Sequence, residues 1–302
     1  MPQRSDGLWG RAMGDVESNS GVGQASALAS DERTAPAYEE QFTAFIDFLG
    51  FSEVSTEADD TRRLNILSLL LSLSALRSEF AIQSAPIESG GTSHRIIPAI
   101  STFSDHIVIS YPLARISRDV GPNESAVAFF ILSGFNRLLK SIAAAALRLG
   151  FLIRGGATIG MLYHSRGVVF GEAMIEAFEI ESRVAVYPRV VLSPRITSRQ
   201  AWAAQHEVLV GHDGLHHLDY LTTLLLSAAQ PGNDYTQRTQ AFFGEVVNIV
   251  STKLNELRRE GRLKELAKWT WFARELRRGL EGLPSQMLGA FGVSISEIPW
   301  PR

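Results

Sequence analysis

The stretch Phe45-Ile46-Asp47-Phe48-Leu49-Gly50-Phe51-Ser52 reads as a buried strand that ends in a tight glycine turn and hands the chain to a helix. An aspartate stands where the pattern demands another apolar residue. Burying a carboxylate costs several kcal/mol or more unless a cation or hydrogen-bond donors satisfy it. Asp47 is therefore either paired or a metal ligand. Thr102-Phe103-Ser104-Asp105-His106-Ile107-Val108-Ile109-Ser110 repeats the anomaly inside a second strand-like run. The two carboxylates, remote along the chain, are expected to be partners.

The rest of the chain frames that pair. Its 302 residues suffice for one large domain or a core domain with additions. A hydrophobic content of 45% and a net charge of -3 describe an ordinary globular chain. No basic excess announces a nucleic-acid partner. Zero cysteines exclude disulfides and thiolate chemistry and suit a reducing compartment. With no signal-peptide pattern at the N-terminus, a cytoplasmic location is expected. The apolar runs 64–76 and 126–149 are too short or too interrupted for a membrane span, the second by Asn136, Arg137 and Lys140.

Residues 1–36, rich in Gly, Ser, Ala, Asp and Glu without apolar periodicity, read as a disordered tail. The segment 37–193 reads as the catalytic core. Strand 42–49 leads to helix 61–81, a loop at Gly90-Gly91-Thr92, and strands 95–101 and 106–111 that meet near Ser104-Asp105. A polar connection, 112–122, precedes a long helix, 124–149, stopped by Gly150. Strand 151–159 carries Arg154-Gly155-Gly156, and a loop through 163–167 leads to the short strand 168–170. Gly171 opens helix 172–185, whose acidic first turn suits a helix N-terminus, and strand 189–193 closes the core. The order β-α-β-β-α-β, then α-β, makes the class α+β with a ferredoxin-like core. Residues 194–302 form a C-terminal α/β extension packed on that core, with a helical region at 242–278.

Three motifs in this order resemble the class III nucleotide cyclases. Phe45-x-Asp47-Phe48-x-Gly50-Phe51-Ser52 is similar to their first strand. Phe103-Ser104-Asp105-His106-Ile107-Val108 is similar to the hairpin carrying their second metal aspartate. Arg154-Gly155-Gly156-Ala157-Thr158-Ile159-Gly160, followed by Gly167-x-x-x-Gly171, resembles their third motif. The likeness spans residues 42–193 and is nearest to the bacterial pyrimidine cyclases of Pycsar anti-phage systems. It implies a cyclase core that converts UTP or CTP to a 3′,5′-cyclic mononucleotide read by a separate effector protein. It also implies a homodimer with sites at the interface.

The resemblance makes Asp47, Asp105 and the main-chain carbonyl of Phe48 ligands of two divalent ions per site, Mn²⁺ or Mg²⁺. Backbone N–H groups of Phe48, Leu49, Gly50 and Phe51 are expected to cradle phosphate. The family's transition-state Asn and Arg fall on Ile175 and Glu179, so neither role carries over, and Arg183, one helical turn on, is the substitute catalytic candidate. Base contacts fall on Ser101 and Val168. Neither is the polar pair a purine edge calls for, which favours a pyrimidine, UTP ahead of CTP. Competing readings are a degenerate nucleotide sensor and a conventional adenylate cyclase.

Two other features read as structural. His212-Asp213-Gly214-Leu215-His216-His217 carries the Asp-Gly signal of a turn and no helical His pair, so it is not read as a zinc site. The basic run 253–278 is interleaved with Glu256, Glu260, Glu265 and Glu275, the pattern of a solvated amphipathic helix.

Overall fold

The long strand β1, Glu39–Leu49, lies near the middle of the main sheet, antiparallel to a neighbour on each side. The computed structural model describes residues 38–51, 60–75, 82–83, 95–222, 224, 235–290 and 292–299. The expected tail 1–36, the loop at 90–92 and the end of the first helix lie outside them.

In chain order, β1 is followed by α1 (Asp60–Ala75), β2 (Ile82–Gln83), β3 (Arg95–Ile96), β4 (Ala99–Phe103) and β5 (His106–Pro112). Then come α2 (Leu113–Val120), α3 (Glu124–Arg148), β6 (Leu152–Ser165), β7 (Val168–Phe170), α4 (Glu172–Arg183) and β8 (Val190–Leu192). The short helices α5 (Pro194–Thr197) and α6 (Gln200–Ala203) precede β9 (Val208–Val210) and β10 (His216–Leu218). Helices α7 (Tyr235–Glu260), α8 (Leu263–Glu281) and α9 (Ser285–Ala290) follow. Among the described residues the main sheet runs β4-β5-β1-β6-β8-β10-β9, with β7 hairpinned onto β6. The only parallel pair in it is β6 with β8, across the crossover through α4. The fold is α+β, with the β-α-β-β-α-β core order that the sequence implies.

Four segments differ from the sequence reading. The strand expected over 95–101 is two, β3 and β4, in different pairings. The helical region expected over 242–278 is two helices, α7 and α8. The connection after β5 is not polar coil but helix α2. Its Leu113, Ile116 and Val120 share one face and are buried, an i, i+3, i+7 pattern that flanking prolines obscure. Strand β6 does not end at Ile159. It continues to Ser165, because Tyr163, His164 and Ser165 pair with Phe170, Val169 and Val168.

Helix α3 is long and apolar enough to cross a membrane by composition. Here its apolar side chains fill the core: Ile131, Leu132, Phe135, Leu138 and Leu139 are fully buried. Asn123 caps it, accepting from the N–H groups of Ser125 and Ala126. Phe42 of β1 packs edge-on to Phe135 and stacks on Trp202 with centroids 6.1 Å apart. Each such side chain contributes about 2 kcal/mol on burial. Residues of α7 and α8 (Val246, Val250, Leu254, Trp269, Phe272, Leu276) join the same core.

Asp47 sits on the other face of β1. There Phe45, Val108 and Ala177 of α4 form a small second core, with Val169 and Met174 packed against it. Helix α4 covers this face and leaves the end near Asp47 open to charge.

Candidate functional site

Register builds the site. Asp47 lies opposite His106 on β5 and opposite Arg154 on β6. In antiparallel strands, residues directly opposite share a face, so all three side chains stand on the α4 side of the sheet. The turn joining β4 to β5 places Ser104 in the left-handed region and returns Asp105 to the same corner. The N–H of Phe48 donates to the carbonyl of Asp105 over 3.2 Å and ties the end of β1 to that turn.

The two aspartates therefore meet, as the sequence implies. Ligand atoms of Asp47, Asp105 and His106 all lie within 4.8 Å of one another. His106 stands between the acids, Nδ1 at 3.1 Å from Asp105 Oδ1 and Nε2 at 3.8 Å from Asp47 Oδ1. Two carboxylates and an imidazole at this spacing fit one divalent ion. A nitrogen ligand suits Mn²⁺ better than Mg²⁺, which prefers an all-oxygen shell. The histidine is a candidate ligand that the two-aspartate reading of the sequence does not include.

Arg154 binds the other oxygen of Asp47. Its Nε donates to Oδ2 over 2.9 Å, and Glu181 Oε1 lies 2.7 Å from the same nitrogen. One N–H cannot serve both acceptors well, and Glu181 Oε1 has no hydrogen-bond partner of its own among the described residues. Glu181 is 2% exposed. Burial pushes its carboxyl up to about 7 against the pull of Arg154, and the nearby Asp47 and Asp105 carboxylates add to the rise. Below that value a neutral Glu181 leaves Arg154 Nε to Asp47 Oδ2, with Asp47 Oδ1 on the side of His106.

This gives a pH prediction. In the folded chain Glu181 holds its proton up to about pH 7, whereas an unfolded glutamate releases it near pH 4.3. The stability it contributes is full below the lower value and is lost as pH rises through the upper one. In metal-free buffer, the melting temperature of the parent is expected to fall relative to Glu181→Gln between pH 5 and pH 8. A difference that stays constant over that range would show that Glu181 titrates normally.

The remaining sequence-predicted positions divide. Phe48 is buried with its ring against Phe151, and Phe51 is half-buried against the same residue, so both side chains belong to the core. Only their backbones are left to face a ligand. Gly50, at φ 97°, makes the turn that an L side chain would strain. Ser52 lies outside the described residues. The Ser101 hydroxyl is bonded to His164 Nε2 over 2.9 Å, and His164 Nδ1 to Ser110 over 2.8 Å. The position is therefore polar through a buried histidine that the sequence alone does not single out. Val168 is exposed on β7. Arg183 stands apart from the acids within one chain. It pairs with Glu179 at 3.5 Å and is mostly exposed, because two residues past Glu181 it lies about 200° further round α4.

Aromatic rings border the acids. Phe103 stacks on His106 (centroids 5.5 Å, 23°), Phe45 packs against both, and Phe178 meets Phe45 edge-on. Phe103 and Phe178 are each nearly half exposed. The His212–His217 segment holds no metal cluster among the described residues. Instead Asp213 binds the buried Arg189, which holds the Asp213 carboxyl down to about 2.

No protein-family model and no curated protein matches the chain. Among solved structures, a bacterial light-regulated adenylyl cyclase is similar at 15% identity with a TM-score of 0.33. That match covers 73% of this chain and 66% of the neighbour, just under two thirds of its length.

Proposed function

We propose that the chain is a metal-dependent pyrimidine nucleotide cyclase acting on UTP or CTP. The supporting observation is the convergence of Asp47, Asp105 and His106, from two strands and a turn, on one corner of the sheet. In the reaction, the ribose 3′-oxygen bonds to the α-phosphorus and the bond from that phosphorus to the bridging oxygen breaks. Pyrophosphate departs and the hydroxyl proton passes to solvent. A bound divalent ion supplies charge neutralisation and a more acidic hydroxyl. The chain's own part is positional. Asp47 and Asp105 present oxygens, Arg154 fixes the rotamer of Asp47, and the exposed edges of Phe103 and Phe178 offer a surface on which a small base can stack.

A second copy belongs to this reading. Val168, Phe170, Ile175 and Phe178 expose apolar side chains on β7 and α4, with Phe178 against Phe45 and Phe170 against Tyr38 at the other end of β1. A homodimer that covers them would also carry Arg183 of one copy towards a neighbouring surface. Sedimentation at micromolar concentration is expected to show a dimer.

The deciding experiment incubates the purified chain with ATP, GTP, CTP and UTP separately in Mn²⁺ and measures pyrophosphate and cyclic product. Turnover of UTP or CTP at least ten-fold above ATP is expected. Turnover of ATP alone would remove the argument from Ser101 and Val168. One observation favours a nucleotide sensor instead: the exposed Ile175 and the Arg183-paired Glu179 occupy the positions of the missing catalytic Asn and Arg. A sensor would bind a nucleotide calorimetrically yet release no pyrophosphate at long times.

A further inference from the structure

Beyond Leu49 the end of β1 opens into a cavity of about 150 Å³. Its lining includes Leu49 and Gly50 from the strand end and Lys253, Arg262, Glu265 and Lys268 from α7, α8 and the link between them. Three cations face one acid. Lys253 is bonded to Glu256 over 2.9 Å, and Arg262 has Glu260 and Glu265 at 3.8 and 3.9 Å. Lys268 has no hydrogen bond or ion pair among the described residues, although it is half-buried.

A half-buried ammonium without a counter-ion is unfavourable, and its surroundings record it. Burial lowers the pKa of Lys268 and the Arg154 guanidinium lowers it further, while Glu265 and Asp47 oppose the fall. Lys268 is thus within electrostatic reach of the Arg154–Asp47 pair. A multivalent anion seated in the cavity would relieve the unpaired ammonium. The cationic lining suits linked phosphates.

We propose that this cavity binds the polyphosphate of the substrate, with Lys268 as its principal contact and Lys253 and Arg262 beside it. The helices after residue 235 are then part of the binding site and not only a cover for the sheet. That the polyphosphate belongs to a nucleotide rests on the cyclase reading. The affinity for linked phosphates does not.

The test titrates inorganic tripolyphosphate into the metal-free full-length chain by calorimetry, with Lys268→Ala, Lys268→Arg and a control, Lys264→Ala, on the same helix outside the cavity. Tripolyphosphate is expected to bind the parent and the control alike, at least ten-fold more weakly to Lys268→Ala, with recovery in Lys268→Arg. Thermal melts of the variants report folding separately, since removing an unpaired cation should leave stability unchanged or raised. With the preferred nucleotide, Lys268→Ala is expected to raise KM by a larger factor than it lowers kcat. Equal binding of tripolyphosphate to parent and Lys268→Ala, or none to the parent, overturns the site. Binding through Lys268 with no turnover of any nucleotide upholds the site and removes the cyclase reading. Turnover with an unchanged KM in Lys268→Ala does the reverse.

Discussion

Asp105→Asn is expected to lower cyclisation about a thousand-fold or more while leaving the fold intact. Loss of an ion's charge stabilisation removes several kcal/mol from the transition state, and each 1.36 kcal/mol is a factor of ten. The substitution is clean because the side chain is partly exposed and its close ionic partner is His106. The contact that anchors the turn uses the Asp105 backbone carbonyl, which Asn keeps. Stability should therefore change by no more than about 0.5–1 kcal/mol. Mn²⁺ affinity, measured by calorimetry, should fall together with activity. Asp47→Asn should be equally inactive but less stable, because it withdraws a carboxylate from Arg154 and leaves that guanidinium to Glu181 alone. Near-parental turnover in either variant would mean that these acids hold no catalytic ion.

How far the sequence discloses this site depends on what each residue interrupts. Asp47 and Asp105 are visible because each breaks an apolar run that has only strand-like readings. Arg154 is visible as a residue but not as a partner, since its meaning comes from register: it is the position opposite Asp47. Glu181 is invisible. It follows Glu172, Glu176 and Glu179 in an acidic helix, and nothing local separates the buried carboxylate from the solvated ones. A face assignment for α4, anchored on the small residues Ala173 and Ala177 that the sheet buries, would have found it, because Ala177 and Glu181 are one helical turn apart. His106 and His164 escape for a related reason. One follows an aspartate that already has a role, and the other sits in the part of β6 that reads as a loop until its pairing with β7 is seen.

The C-terminal helices show the same limit from the opposite side. Their amphipathic pattern is plain in the sequence, but the region read as continuous over 242–278 is broken at Gly261, whose φ of 69° ends the first helix. What the pattern cannot give is which end of the sheet the basic face meets. The interleaved glutamates satisfy Lys253, Arg262 and Arg278, which makes the solvated-helix reading correct for most of the cations. Among the described residues of this run, Lys268 is half-buried without such a partner, whereas Arg258, Lys264 and Arg274 are exposed, and only three-dimensional placement beside Gly50 reveals it.

Gly156→Ala is expected to be a strongly damaging single-methyl change in the packing of α4 on the sheet. A Cβ at this position would lie 2.3 Å from the carbonyl oxygen of Ala177, 2.6 Å from the Cβ of Ile180 and 2.9 Å from the backbone nitrogen of Glu181. Two of the three are helix backbone and cannot rotate away, so α4 must rise off the sheet by about an ångström. Overpacking of this kind costs about 1–3 kcal/mol, which in a domain of this size lowers the melting temperature by roughly 2–10 °C. The same lift carries Glu181 away from Arg154 and Asp47, and a misplacement of about 1 Å can cost about a hundred-fold in rate. Activity should then fall further than the loss of folded protein explains at temperatures well below the melting point. Gly244→Ala supplies the contrast, because a methyl added there would meet nothing within 4 Å and the residue is helical. It should be neutral or stabilising by up to about 1 kcal/mol. Equal stability of the two variants would show that α4 does not rest on Gly156, and with it that Glu181 is not held against Arg154 by the packing of this helix.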